Sequence, residues 1–348
     1  MHEQKFYELK IRRHILIPFF CLICLLSFKN HPPPTLTAFK ISGYAQGTTY
    51  HITYYAEDSF VVKSQIDSIL DKIDSSLSIY KPWSLISKFN NADDGVEMDG
   101  HLRLVVQRSL EIFKATDGVS DITVYPLVNI WGFGPQHVSG EPDSAGIQAI
   151  MPCVGAGKIH VRGNRLVKDT PCVKIDVNGI AQGYSVDVVA GFLEKKGIQN
   201  YIVEIGGELR IKGRKYPGEM MMQIGIEAPA QNSFDEPILE KVIQLDNGAI
   251  TTSGNYRKYH KMNGKTISHL IDPKTGYPFQ NELISVTVWA KEAVTADGYD
   301  NALMGMGLKK ALLFLSKHKK MEAYFIYHSS GGVIKDTATT GFYKMIRK

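Results

Sequence analysis

Strand-like and helix-like stretches follow one another along this chain in an order that excludes a doubly wound α/β sheet. Apolar and polar residues alternate, the period of a half-buried strand, over residues 48–55, 166–167, 201–205, 222–226, 284–289 and 323–327. Apolar positions recur at helical spacing over 61–76, 102–116, 180–196, 295–306 and 309–317, with Gly118 and Gly197 where helix stops are expected. The two kinds do not alternate one for one, as a parallel sheet with crossover helices requires. The expected class is therefore α+β, with largely antiparallel sheets flanked by helices. No tandem repeat is visible, and the polar stretches 90–100 and 136–146 read as surface loops rather than linkers between domains. With 348 residues, 44% hydrophobic and 10% aromatic, the chain has enough apolar material for a substantial core.

The first residues differ from everything after them. Lys10, Arg12, Arg13 and His14 precede an apolar run over 15–28, and Lys29-Asn30-His31-Pro32-Pro33-Pro34 stops it. A cationic flank before a short apolar run is the pattern of an export signal, and the run is short for a spanning helix, which needs about 20 residues. Residues 1–31 are expected to be a signal peptide or membrane anchor, and 32–42 a stiff proline-containing linker. No A-x-A-like cleavage site is present, and neither Cys21 nor Cys24 follows the small residues that precede a lipidated cysteine. A cleaved peptide, a signal anchor and a lipoprotein all stay open. Removing the five Lys/Arg and two acidic residues of 1–31 lowers the formal charge from +5 to +2, with 35 basic against 33 acidic residues. With no dense basic run, nucleic acid is not an expected partner.

Beyond that segment only Cys153 and Cys172 remain. They bracket a short expected hairpin, 158–161 and 165–168 around Gly163-Asn164, and either pair across it, as export allows, or stay as two buried thiols. No CxxC or histidine cluster accompanies them, which argues against a metal site there.

Five segments hold polar groups that an ordinary core or loop does not need. In Asp121-Ile122-Thr123-Val124-Tyr125-Pro126-Leu127-Val128-Asn129-Ile130-Trp131-Gly132-Phe133-Gly134-Pro135, acid, hydroxyl, amide and indole groups sit among apolar neighbours. Burying Thr123, Asn129 and Trp131 unpaired costs roughly 1–3 kcal/mol each, so the fold or a planar, polar-edged ligand must satisfy them. In Asp176-Val177-Asn178-Gly179-Ile180-Ala181-Gln182-Gly183, a strand ends in a carboxylate and a glycine-containing turn opens a helix. Such a turn offers N–H groups to an anion and carbonyls to a cation; a plain N-cap accounts for Asp176 or Asn178 but not for the set. Glu204-Ile205-Gly206-Gly207-Glu208 reads as a bulge or as a close approach of a ligand. Hydroxyls and an Arg/Lys pair in Thr251-Thr252-Ser253-Gly254-Asn255-Tyr256-Arg257-Lys258 suit phosphate contact, and His269 stands ahead of an Asp-Pro turn at Asp272. A histidine in that company is as consistent with proton transfer as with a structural role. Asp297 and Asn301 are i and i+4 at a helix start, so their oxygens share one face. With a free carbonyl they make a hard site suited to Mg²⁺, although acids at a helix start also serve the dipole alone.

Gly47-Thr48-Thr49-Tyr50, Leu77-Ser78-Ile79-Tyr80, Ile86-Ser87-Lys88-Phe89-Asn90 and the stretches 121–135, 176–187, 204–208, 251–256, 269–278 and 296–306 stand in one order. Taken together, from Gly43 to the C-terminus, they resemble the ApbE family, the FAD:protein FMN transferases. The resemblance implies an ApbE-like, T-fold-like architecture over 43–348. It also implies an exported enzyme on the periplasmic side of the inner membrane, attached through its N-terminal segment if that is retained. Such an enzyme takes FAD as substrate, uses Mg²⁺ to cleave the pyrophosphate, and transfers FMN to a threonine of an acceptor flavoprotein, an electron-transport subunit, releasing AMP. It assigns flavin contacts to Gln46, Tyr80, Val119, Ser120, Asp121 and Asp176. The metal falls to the backbone carbonyl of Gly179 and to Asp297, with Asn301 where the family usually has threonine; Gln182 stands where lysine is common. In this frame His269 is expected to take the acceptor threonine proton with support from Asp272, while residues 126–131 form buried support behind Ser120 and Asp121. Two other functions stay open: an exported FAD-binding protein without transfer, and an FAD pyrophosphatase giving FMN and AMP.

Overall fold

In this computed structural model, which describes residues 35–136, 140–227, 239–255, 259–262 and 265–347, eight strands form one antiparallel sheet whose spatial order is the order of the chain. They are β1 (Thr37–Ala45), β2 (Thr48–Ala56), β3 (Asn200–Ile205), β4 (Glu208–Lys212), β5 (Asn247–Gly254), β6 (Leu283–Ala290), β7 (Met321–His328) and β8 (Ile334–Ala338). The expected signal segment, and Tyr256, Arg257 and Lys258 of the phosphate-suited stretch, lie outside the described residues. Among the described residues no helix is long and apolar enough to cross a membrane.

The three longest of the helices between β2 and β3 are α1 (Lys63–Leu77), α2 (Gly100–Ala115) and α3 (Asn178–Lys195). Two more, α4 (Ala293–Met306) and α5 (Leu308–Lys317), lie between β6 and β7. The alternation of the strands decides where the helices go. Tyr50, Ile52 and Tyr54 of β2 stand opposite Ile205, Val203 and Tyr201 of β3, and all six are buried on one face. Onto them pack Ile66 and Leu70 of α1, Val105 and Ile112 of α2, and Val189 and Leu193 of α3. Each such aliphatic side chain contributes roughly 1.5–3 kcal/mol by leaving water. A second cluster joins Val286 and Val288 of β6 and Phe325 of β7 to Leu303 of α4 and Leu315 of α5. Helix α3 stops at Gly197, whose φ of +83° suits glycine, and Ile198 N–H closes the end on Leu193 O at 3.1 Å.

The domain boundary expected at Gly43 is corrected by the sheet. Residues 37–42 pair with 51–56 as the first six residues of β1, so the linker cannot extend to 42. As an edge strand β1 has no fully buried residue; its inward positions, Phe39, Ile41, Gly43 and Ala45, are only half-buried. The two expected loops are also partly ordered into elements: Gly95–Glu97 pairs with Arg165–Lys168, and Asp143 caps the short helix Ser144–Ile150. Cys153 and Cys172 are joined, with Cα atoms 5.4 Å apart, so of the two open alternatives the structure takes the paired one.

Candidate active site

A cavity of about 390 Å³ opens where the segment after α2, the start of α3, the end of β5 and the middle of α4 converge. The wall after α2 is held by its own polar groups. Asp121 Oδ1 accepts the Thr123 N–H at 2.8 Å and the Thr123 hydroxyl at 2.6 Å, and Oδ2 accepts Ala156 N–H at 2.9 Å. Trp131, 2% exposed, donates Nε1–H to Gly276 O at 2.8 Å, and Asn129 Nδ2 donates to Gln136 Oε1 at 3.0 Å. The polar groups that seemed costly in the sequence are thus satisfied by protein. Residues 126–131 are buried or half-buried support, and Val119, Ser120 and Asp121 line the cavity. Asp121 reaches that lining with its carboxylate already occupied. Across from them Asp176 N–H donates to Ile122 O at 2.7 Å and the Asp176 carboxylate accepts Asn178 N–H at 2.8 Å, tying the two walls together. Tyr80, 59% exposed, stands at the rim.

At the other end four oxygen-bearing groups meet. Gly179 leaves helical geometry (φ −83°, ψ 17°), and its carbonyl accepts Asn301 Nδ2 at 3.4 Å. Asn301 Oδ1 accepts the Ser253 hydroxyl at 2.7 Å, and Asp297 Oδ2 accepts Gly183 N–H at 2.7 Å. Beside them Asp300 is 1% exposed, with Oδ1 lacking any hydrogen-bond partner among the described residues. Burial pushes the Asp297 carboxyl up to about 7, with the Asp187 charge adding to it. Burial, and then the charge of Asp297, raises Asp300 well above the usual carboxylate range. Two buried carboxyls and the Gly179 carbonyl supply oxygens suited to a hard cation, while Asn301 here turns its Nδ2 to that carbonyl and its Oδ1 to Ser253, so its oxygen joins the set once the amide turns over. A divalent cation relieves both the repulsion and the unpaired oxygen, and the chemistry of the set fits Mg²⁺. Asp300 received no role from the sequence, although its i+3 spacing from Asp297 places both on one helix face.

His269 lines the cavity with its ring edge-on to Phe133, centroids 6.2 Å apart. Asp272 is outside the lining: Oδ1 accepts Lys274 N–H at 2.9 Å and Oδ2 the Thr275 hydroxyl at 3.0 Å. The Asp272 carboxylate holds the turn 272–277, which Trp131 anchors through Gly276. Gln46 does not line the cavity either; with Gly47 it forms the positive-φ turn between β1 and β2, and its Nε2 donates to Ser185 Oγ at 2.8 Å. Gln182 does line it, its side chain lying over Gly206 so closely that a Cβ there would fall 1.9 Å from Nε2.

The model of the ApbE family matches residues 46–325. The chain belongs to the ApbE family. It is 36% identical over 315 residues to the FAD:protein FMN transferase of Vibrio cholerae serotype O1, covering 88% of this chain and 92% of that one. To the FAD:protein FMN transferase of Haemophilus influenzae it is 37% identical over 313 residues, 86% and 89% of the two chains. Among solved structures, the flavin transferase ApbE from Vibrio cholerae superposes with a TM-score of 0.81 at 33% identity, covering 89% of this chain and 99% of that one. The apo form of the Pseudomonas stutzeri flavinyl transferase ApbE does so with 0.79 at 33%, covering 89% and 97%. The α+β architecture expected from this ApbE-family sequence is the one observed.

Proposed function

We propose that the protein is a flavin transferase that moves the FMN half of FAD onto a threonine hydroxyl of an acceptor flavoprotein and releases AMP. The observation that carries this reading is the convergence of the Gly179 carbonyl, Asp297, Asp300 and Asn301 in the same cavity as His269. The names of the relatives, FAD:protein FMN transferases, support it.

Gly179 O, Asp297 and Asn301 would hold Mg²⁺, with Asp300 beside them; when bound there, the ion supplies charge neutralisation at the pyrophosphate and orientation of the AMP leaving group. His269 accepts the proton from the acceptor hydroxyl as its oxygen forms the new bond to the FMN phosphorus, and the bond to the bridging oxygen breaks, that oxygen leaving with AMP. The walls built on Val119, Ser120, Asp121 and Asp176 bind and orient the flavin half, and Tyr80 closes the rim. Export belongs to the same reading. The cationic flank and apolar run of 15–28 support it, as does the Cys153–Cys172 pair, which an oxidising compartment preserves. The acceptor class that suits such an enzyme is a flavoprotein subunit of an electron-transport complex.

Incubation with FAD, Mg²⁺ and a candidate acceptor, followed by mass spectrometry, tests the function. An acceptor heavier by one FMN unit is expected. Free FMN with an unmodified acceptor would instead mark a pyrophosphatase, and intact FAD a binding protein.

A further inference from the structure

Asp187 lies outside the cavity, one helical turn beyond Gly183 on α3. Its two carboxylate oxygens accept the N–H groups of Ala293 at 3.0 Å and Val294 at 2.8 Å, the first two residues of α4. Glu292, the residue at the N-cap of α4, makes no side-chain cap bond, so α4 is capped from the neighbouring helix instead. A carboxylate at that place satisfies free N–H groups and faces the positive end of the helix dipole. Arg210 Nη1 lies 3.6 Å from Oδ1, which keeps a cation beside a side chain only 18% exposed.

One turn back along α3, the bond direction reverses. There Gly183 N–H donates to Asp297 Oδ2, and the backbones are so close that a Cβ on Gly183 would fall 2.4 Å from Ala293 O. The two helices are therefore locked by bonds given in both directions within one turn. That lock fixes where the Gly179 carbonyl on α3 stands relative to Asp297, Asp300 and Asn301 on α4.

We propose that Asp187 is a positioning residue: by capping α4 from α3 it sets the helix register in which the Gly179 carbonyl, Asp297 and Asn301 converge on one cation. This rests on the reading of the cavity as a Mg²⁺ site. Partners that orient metal ligands are worth on the order of ten- to a hundredfold in metal affinity.

The test is calorimetric titration of the full chain with Mg²⁺, for the wild type, Asp187→Ala, Asp187→Asn and Asp99→Ala. Asp99 caps α2 through Leu102 N–H at 2.8 Å and lines no part of the cavity, so it reports what losing a cap does to stability alone. Asp187→Ala is expected to weaken Mg²⁺ binding about ten- to a hundredfold. Asp187→Asn, whose amide oxygen still accepts one N–H, should lose less, and Asp99→Ala should keep the wild-type Kd while melting earlier. An unchanged Kd in Asp187→Ala, or an equal loss in Asp99→Ala, overturns the proposal. If Asp187→Ala does not fold, Asp187→Asn decides: a severalfold loss supports the proposal and wild-type affinity overturns it. A wild type that binds no Mg²⁺ overturns the reading of the cavity itself, a different failure from a wild type and Asp187→Ala that bind equally well.

Discussion

Gly183→Ala probes the crossing of α3 and α4 with a single methyl group. A Cβ at this position would lie 2.4 Å from Ala293 O, 2.6 Å from Asp297 Cβ and 2.8 Å from Ala293 C. Carbon contacts prefer about 3.5–4.0 Å, so the helices must part by about 1 Å or distort. Overpacking of this kind costs roughly 1–3 kcal/mol, and the better helix propensity of alanine offsets about 1 kcal/mol of that. The net loss of stability is therefore small, about 0–2 kcal/mol. Function should suffer more, because the displaced group is Asp297 itself, and a misplacement of about 1 Å can cost roughly a hundredfold in rate. Gly191→Ala is the control: it lies on the same helix, with nothing within 4 Å of its Cβ. The assay pairs thermal melting with Mg²⁺-dependent FMN transfer. Expected is a collapse of transfer in Gly183→Ala with a modest change in Tm, beside full transfer and equal or higher Tm in Gly191→Ala. Wild-type transfer by Gly183→Ala would refute the argument that the close helix crossing holds the site.

Three further outcomes follow from the geometry. His269→Ala, assayed at saturating FAD and acceptor, should lower the transfer rate about 10²–10⁴-fold, the usual worth of a general base; an unchanged rate removes that role. Lys168 donates to Phe89 O, Pro171 O and Val173 O, yet burial lowers its pKa from 10.5 to about 8. The folded state therefore binds fewer protons than the unfolded state between those values, so this group makes stability rise with pH from about 8 to 10.5, by an amount on the order of 3 kcal/mol. Wild-type stability measured by urea unfolding should accordingly improve relative to Lys168→Met across that window, and a constant difference would contradict it. Cys153 and Cys172 are 19 residues apart in the chain. Replacing both by serine should cost about 3 kcal/mol, read as an earlier denaturation midpoint; an unmoved midpoint means that the cross-link does not constrain the chain.

The strands and helices legible in the sequence were those with one face in the core. β2 and β3 are legible because Tyr50, Ile52, Tyr54 and their partners all point inward. β1 alternates exposed with half-buried residues but, as an edge strand, buries none fully, so its signal in the sequence is weak. At the site, the i, i+4 spacing of Asp297 and Asn301 is legible in the sequence, whereas Gly179, 122 residues from Asn301, and the wall residues Val119, Ser120, Asp121 and Asp176 are picked out by the resemblance; the cavity brings all of them and His269 together. Asp272 and Gln46 both spend their side chains on nearby protein partners, Lys274 N–H and the Thr275 hydroxyl for one and Ser185 for the other. A turn residue whose side chain serves its own turn or a neighbouring helix looks, in one dimension, like a polar residue waiting for a ligand. Asp300 was passed over for the opposite reason, since its cost of burial is visible only once the fold has closed around it.

The central claim is tested most directly by counting AMP released against FMN bound to the acceptor in one reaction, with and without Mg²⁺. Transfer predicts equal amounts of the two products, both requiring the cation; AMP accompanied by free FMN and an unmodified acceptor would contradict it.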